Sequence, residues 1–238
     1  MTRPMCLNLE HYYARDARGG RFVPRYQAPV REARLDLHRV RVDIAPCGDW
    51  QVAAAITYEL QPGRVVQAAF EFEFLAPYRD FEAFISHYFP FPDEPLLRLG
   101  GQWVRPTLGP REHRYWPRSP GDAAAIGDGR LDEFLAELKE PYEVPVDPRC
   151  YDEPVMITTI PGSDWSVVHA AERHCCPSLS ANRTWHAHDF SLVGRDVAAG
   201  ERVVCRAWMA YVKLTSPDAA LELYREWTAG AGSRPAVA

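Results

Sequence analysis

The sequence has no run approaching the 18 or more consecutive apolar residues that a bilayer-spanning helix needs, which excludes a helical membrane protein. Its first residues, MTRPMCLNLEHYYARDARGGR, hold no apolar stretch ahead of their charges, so no secretory signal is read there. It also lacks positive charge. Lys and Arg number 27 against 32 Asp and Glu, a net charge of −5, and this gives a polyanion such as nucleic acid nothing to hold. The short basic cluster Arg15, Arg18, Arg21 and Arg25 is interrupted by Asp16 and reads as a solvated segment. Six cysteines are scattered without a single CxxC, so neither a disulfide framework nor a zinc ribbon is expected. Free thiols in a reducing compartment, hence the cytoplasm, are the expectation. Glycine-rich phosphate loops are missing, because GDGR and LGGQ stand outside any strand–helix context. No G-x-S-x-G elbow occurs, and there are no repeats.

What is present is ordinary globular material with one oddity. Apolar residues make up 47% and charged residues 25%, enough for one domain over 1–238. Proline is abundant, at 21 of 238 residues, beside seven tryptophans and eleven tyrosines. Proline is poorly tolerated inside helices and central strands, so the chain must contain many turns and ordered loops.

The dominant periodicity is two. Trp50, Val52, Ala54, Ile56, Tyr58 and Leu60 alternate with polar or small residues. The turn QPGR (61–64) follows, and then Phe70, Phe72 and Phe74 share one face with Glu71 and Glu73 on the other. A third strand is expected over 33–44. VMITTI (155–160) and WSVVHAAE (165–172) flank the turn PGSD and read as a second hairpin. Residues 184–194 and 201–214 form a third. The run 79–89 is ambiguous between helix and strand and is assigned to a strand because a sheet surrounds it. Helices are expected over 130–140, where Leu131, Phe134, Leu135 and Leu138 share a face, and over 216–228, which opens with Ser216 and Pro217. Residues 90–130, rich in Pro, Gly, Arg and aromatics, read as a long loop insertion, either a packed surface arm or a lid or site wall carrying Trp103, Tyr115 and Trp116. The fold class is all-β: a large antiparallel β-sandwich with a few short helices.

Chemistry is sparser. His186 and His188 form an H-x-H that a strand would point to one face, where it could hold a metal or line a polar surface. Cupin-type metal enzymes add a glutamate four residues later; that position is Leu192, and no metal is assigned. His169, Glu172 and His174 lie together at a strand end, a carboxylate beside imidazoles that could serve as general base and acid.

TTIPG (158–162), VHAAERHCCP (168–177) and AAGE (198–201) resemble the C-terminal half of the aldose 1-epimerase, or galactose mutarotase-like, superfamily. Glu172 and Pro177 keep the five-residue spacing of that family's strand-end glutamate and proline. Upstream, 70–91 resembles the family's run into an N-H-x-Y-F-N motif, with Tyr88 and Phe89 matching Y-F. The family's histidine then falls on Ser86, unless a one-residue bulge brings His87 into its place.

The resemblance implies a β-supersandwich whose polar face takes a small or oligomeric carbohydrate, with no nucleic acid, membrane or cofactor. It implies Glu172 as general base at the anomeric centre and His87 or His169 as proton donor to the ring oxygen. His186, His188, Arg206, Glu71, Glu73, His174 and Trp116 are the expected sugar contacts. The alternatives are a sugar-binding protein that keeps the fold without catalysis, and a metal-dependent enzyme built on His186 and His188.

Overall fold

The computed structural model describes residues 5–16, 21–90, 94–122 and 143–231. In chain order the strands are β1 (Met5–Tyr13), β2 (Arg21–Phe22), β3 (Val30–Arg34), β4 (Arg39–Ile44), β5 (Val52–Gln61), β6 (Val65–Phe74) and β7 (Tyr78–Tyr88). There follow β8 (Leu96–Leu99), β9 (Gln102–Val104), β10 (His113–Pro117), β11 (Tyr151–Thr159), β12 (Ser166–Ala171), β13 (Ser178–Asn182), β14 (Ala187–Val197) and β15 (Arg202–Val212). A four-residue helix α1 (Pro24–Gln27), a 3-10 turn (Arg173–Cys175) and helix α2 (Pro217–Ala231) complete the described elements.

The strands form two antiparallel sheets. Six pair in the order β10-β13-β14-β7-β1-β2, and nine in the order β3-β4-β5-β6-β15-β12-β11-β8-β9. The period-two alternation explains why these sheets face each other. Phe70, Phe72 and Phe74 on β6 and Phe81, Ala83 and Ile85 on β7 enter one core with Tyr12, Trp50, Leu179, Phe190 and Leu192. The rings interlock edge to face, as Phe74 and Phe81 do at 4.8 Å and 81°. Burying each phenylalanine contributes about 1.5–3 kcal/mol. Helix α2 covers part of the opposite face of the nine-stranded sheet. It lays Ala220, Leu221 and Tyr224 on Val155, Ile157, Val168, Ala170 and Trp208.

Several expectations change. The run 33–44 is not one strand. It is a hairpin turned at residues 35–38, where Asp36 accepts the N–H of His38 at 2.8 Å and the Arg39 guanidinium at 2.7 Å. The stretch expected as a loop carries β8, β9 and β10 among its described residues. These strands are only three to five residues long, below the reach of a periodicity argument. The turn between β8 and β9 needs two positive-φ residues, and Gly100 (+59°) and Gly101 (+81°) supply them while donating to the Asp152 carboxylate. The run 79–89 is strand β7, as assigned, and 216–228 falls in α2. The helix expected over 130–140 lies outside the described residues.

Where β14 bulges, Gly194 takes φ +63°, and a Cβ there would stand 2.3 Å from the Pro177 ring. This close approach fixes the turn bearing Cys175 and Cys176 against the six-stranded sheet.

Candidate functional site: the polar face of the six-stranded sheet

Inward positions of the six-stranded sheet are mostly apolar, and the alternate positions face outward. They are polar to an unusual degree. Ser178, Ser180 and Asn182 alternate with Leu179 and Ala181 on β13; Asp189 and Ser191 alternate with Phe190 and Leu192 on β14. On β7 the outward residues are Glu82, Phe84 and Ser86. Strand register aligns them into one row, because Tyr115 pairs with Ser180, Ser180 with Asp189, Asp189 with Ser86, and Ser86 with Asn8. Tyr13, Phe84 and Tyr115 form an aromatic border to this row, Tyr13 meeting Phe84 edge to face at 5.8 Å.

Asp189 is the centre of the row. It is 3% exposed, so its carboxylate has lost most of its water. One oxygen, Oδ2, lies 3.3 Å from Nε2 of His113. The other, Oδ1, is buried with no hydrogen-bond partner among the described residues. His113 stacks on Tyr115 at 4.5 Å, and its Nε2 also meets the Ser180 hydroxyl at 2.9 Å. The Tyr115 hydroxyl stands 3.4 Å from Nδ1. Further along the face, the Ser191 hydroxyl donates to Glu82 at 2.7 Å. Serine and aspartate share Nε2, so this is not the relay of a serine hydrolase, which needs them on opposite ring nitrogens. It is a carboxylate–imidazole pair with an unused acceptor oxygen.

The sequence-expected histidines lie elsewhere. His87 and His188 are direct cross-strand partners on β7 and β14, and both point inward, where they meet His169 of β12. Thr158 joins two of them, its hydroxyl lying 2.9 Å from Nε2 of His169 and 2.8 Å from Nδ1 of His188. His87 Nδ1 donates to the His188 carbonyl at 3.0 Å, which fixes its tautomer because a carbonyl can only accept. Burial pushes the His87 pKa down to about 4 and holds His169 well below the usual imidazole range. His87 and His169 are neutral core residues between the sheets, and His188 packs beside them.

Glu172 ends β12 and does not meet them. One carboxylate oxygen accepts the backbone N–H of Arg206 and the other its guanidinium, both at 3.1 Å. Glu71 and Glu73 line a separate groove of about 600 Å³ on the nine-stranded sheet, beside Arg41 and Arg202. Trp116 is fully buried, and its ring N–H donates to Asp147 at 3.3 Å. His174 is exposed on the 3-10 turn. His186 precedes β14 in a turn at φ +48°, so the H-x-H is not a strand pair; both histidines nevertheless border one small cavity with Glu94.

Asp189, His113, Ser180 and Glu82 were not singled out from sequence. The alternation of Ser and Asp with Leu and Phe in 178–192 was the available signal, while His113 sat in the supposed loop. These features define a two-sheet antiparallel β-sandwich with a buried polar outer face carrying a carboxylate–imidazole pair.

No family model matches the sequence, and no curated protein does. Solved structures with a similar sandwich exist. A protein of Escherichia coli K12 described as a candidate aldose 1-epimerase is 7% identical; the match covers 78% of this chain and 69% of that one, with a TM-score of 0.47. The Slr1438 protein of Synechocystis sp. PCC 6803 is 8% identical over 78% of this chain and 66% of its own, with a TM-score of 0.45. An aldose epimerase homologue from C. elegans is 7% identical over 78% and 69%, with a TM-score of 0.40. Among the described residues, no helix is long and apolar enough to cross a membrane.

Proposed function

We propose that the protein binds a carbohydrate on the outer face of the six-stranded sheet and carries out acid–base chemistry at its anomeric centre. The observation that carries this reading is the Asp189 carboxylate, buried with Oδ1 unpartnered and Oδ2 at 3.3 Å from His113. A buried acceptor without a donor is costly unless a ligand hydroxyl completes it. Ser86, Ser180 and Asn8 align in the row beside it, and Tyr13, Phe84 and Tyr115 form a small buried aromatic cluster at its border. The resemblance of 70–91 to the epimerase motif supports the same place, because the family's histidine position falls on Ser86, beside Asp189.

In this reading Asp189 accepts the proton of the anomeric hydroxyl while His113 gives a proton to the ring oxygen. The bond from the anomeric carbon to the ring oxygen breaks, leaving an open-chain aldehyde. Reclosure on the other face returns both protons. A positioned base contributes about 10²–10⁴-fold.

The test is magnetisation exchange between α and β anomers across a panel of aldoses. Exchange faster than solvent alone, reduced by Asp189→Asn, supports the enzyme. Sugar binding without exchange leaves the non-catalytic binding protein. Neither binding nor exchange removes the carbohydrate reading.

A further inference from the structure

Outside the polar face, Glu172, His174 and Cys175 present a carboxylate oxygen, a ring nitrogen and a sulfur that all lie within 4.8 Å of one another. The 3-10 turn produces this convergence by folding 173–175 back over the end of β12, with the Cys175 N–H donating to the Glu172 carbonyl at 3.1 Å. The Cys175 thiol also donates to the Val204 carbonyl of β15, at 3.5 Å. Glu172 and Cys175 are buried and His174 is exposed, so the group has a sealed side and an open side.

We propose that Glu172, His174 and Cys175 form a binding site for a thiophilic divalent cation, zinc by preference. One sulfur, one imidazole and one carboxylate, with a fourth position open to water, suit tetrahedral zinc and disfavour calcium or magnesium, which take oxygen ligands. Arg206 does not block the site. It occupies one direction of each Glu172 oxygen, and a carboxylate has about four lone-pair sites. Hydrogen bonding of this kind orients a ligating carboxylate. Charge also closes: one thiolate, one carboxylate, a neutral imidazole and the dication sum to zero. Binding displaces one proton from the thiol to solvent, and no oxidant or reductant is involved. The site would lock the turn onto the end of β12 and is independent of the carbohydrate reading.

The experiment uses the full chain, reduced and stripped with a chelator, and titrated with zinc against a chromophoric competitor and separately with cobalt(II). One equivalent of zinc per chain and cobalt-to-thiolate charge-transfer absorption are expected. Cys175→Ser should abolish that absorption. His174→Ala, a change at an exposed residue that leaves the core untouched, should weaken zinc affinity at least about tenfold. Cys150→Ser should change nothing. Failure to take up zinc from a micromolar competitor overturns the proposal. So does uptake that His174→Ala and Cys175→Ser leave unaltered. Either failure leaves the sugar assay on Asp189 untouched.

Discussion

The rings of His87 and His169 meet edge to face between the two sheets, their centroids 4.6 Å apart at 77°, one from each sheet. Neither can take a proton cheaply. His87 is fully buried, with His169, His188 and Phe190 around its ring and Asp189 as the nearest anion influencing it. Its pKa is pushed down to about 4 by burial, below the ordinary 6.5 it regains on unfolding. The unfolded chain therefore binds more protons between these values. This contribution to stability is complete above pH 6.5 and is lost as pH falls toward 4, amounting to ~3 kcal/mol. Urea melts from pH 7.5 to 5 should show the midpoint falling with pH, above the range where carboxylates titrate. A midpoint flat across that interval contradicts the assignment.

Asp189→Asn should separate function from stability. Asparagine keeps the shape and removes a buried charge with one unsatisfied oxygen. The variant should stay within about 1 kcal/mol of wild-type stability while anomer exchange falls by about 10²–10⁴-fold. Loss of stability together with unchanged exchange would make Asp189 a structural residue.

His113→Gln should reduce exchange with little effect on sugar affinity, because glutamine retains a donor toward Asp189 and Ser180. A kcat equal to wild type would remove His113 from the reaction.

Glu172→Gln, measured in chelator so that no metal contributes, should cost about 1.5–3 kcal/mol. It leaves the Arg206 guanidinium without its charged partner at the end of the β12–β15 ladder. Thermal melts check this, and an unchanged Tm would show that water replaces the carboxylate freely.

Gly194→Ala combines a positive φ with a Cβ 2.3 Å from Pro177. A loss of at least about 2 kcal/mol is expected from strain and collision together. Pairing it with Pro177→Gly should recover the collision part only, giving a non-additive double-mutant cycle. Additive losses would show that the two residues do not press on each other.

Period-two alternation carried most of the nine-stranded sheet, because Ile56, Phe70 and Phe72 each reveal a face without any knowledge of partners. It also set Glu71 and Glu73 opposite the phenylalanines. The candidate site was less legible. Asp189 and His113 are brought together through Ser180, by the pairing of β10 with β13 and β13 with β14, and local sequence does not encode that register. Glu172 drew attention through its neighbours in sequence, yet its partner is Arg206 on another strand. His169 lies only three residues before Glu172, but it turns into the core, away from solvent.

The two sheets differ in how far the chain must travel to build them, and this sets an order of assembly. Strands β3, β4, β5 and β6 are consecutive neighbours, so each pairing closes a short loop. The six-stranded sheet has no such start at its centre: Asn8 pairs with Ser86, and Ser86 with Asp189, so β7 waits for both ends of the chain. Distant pairings slow folding. The β3–β6 meander should therefore nucleate early and the polar row last, after synthesis has passed β14. A chain interrupted before that strand would expose Ile85 and Phe84 on an unpaired edge of β7, the kind of surface that recruits other chains.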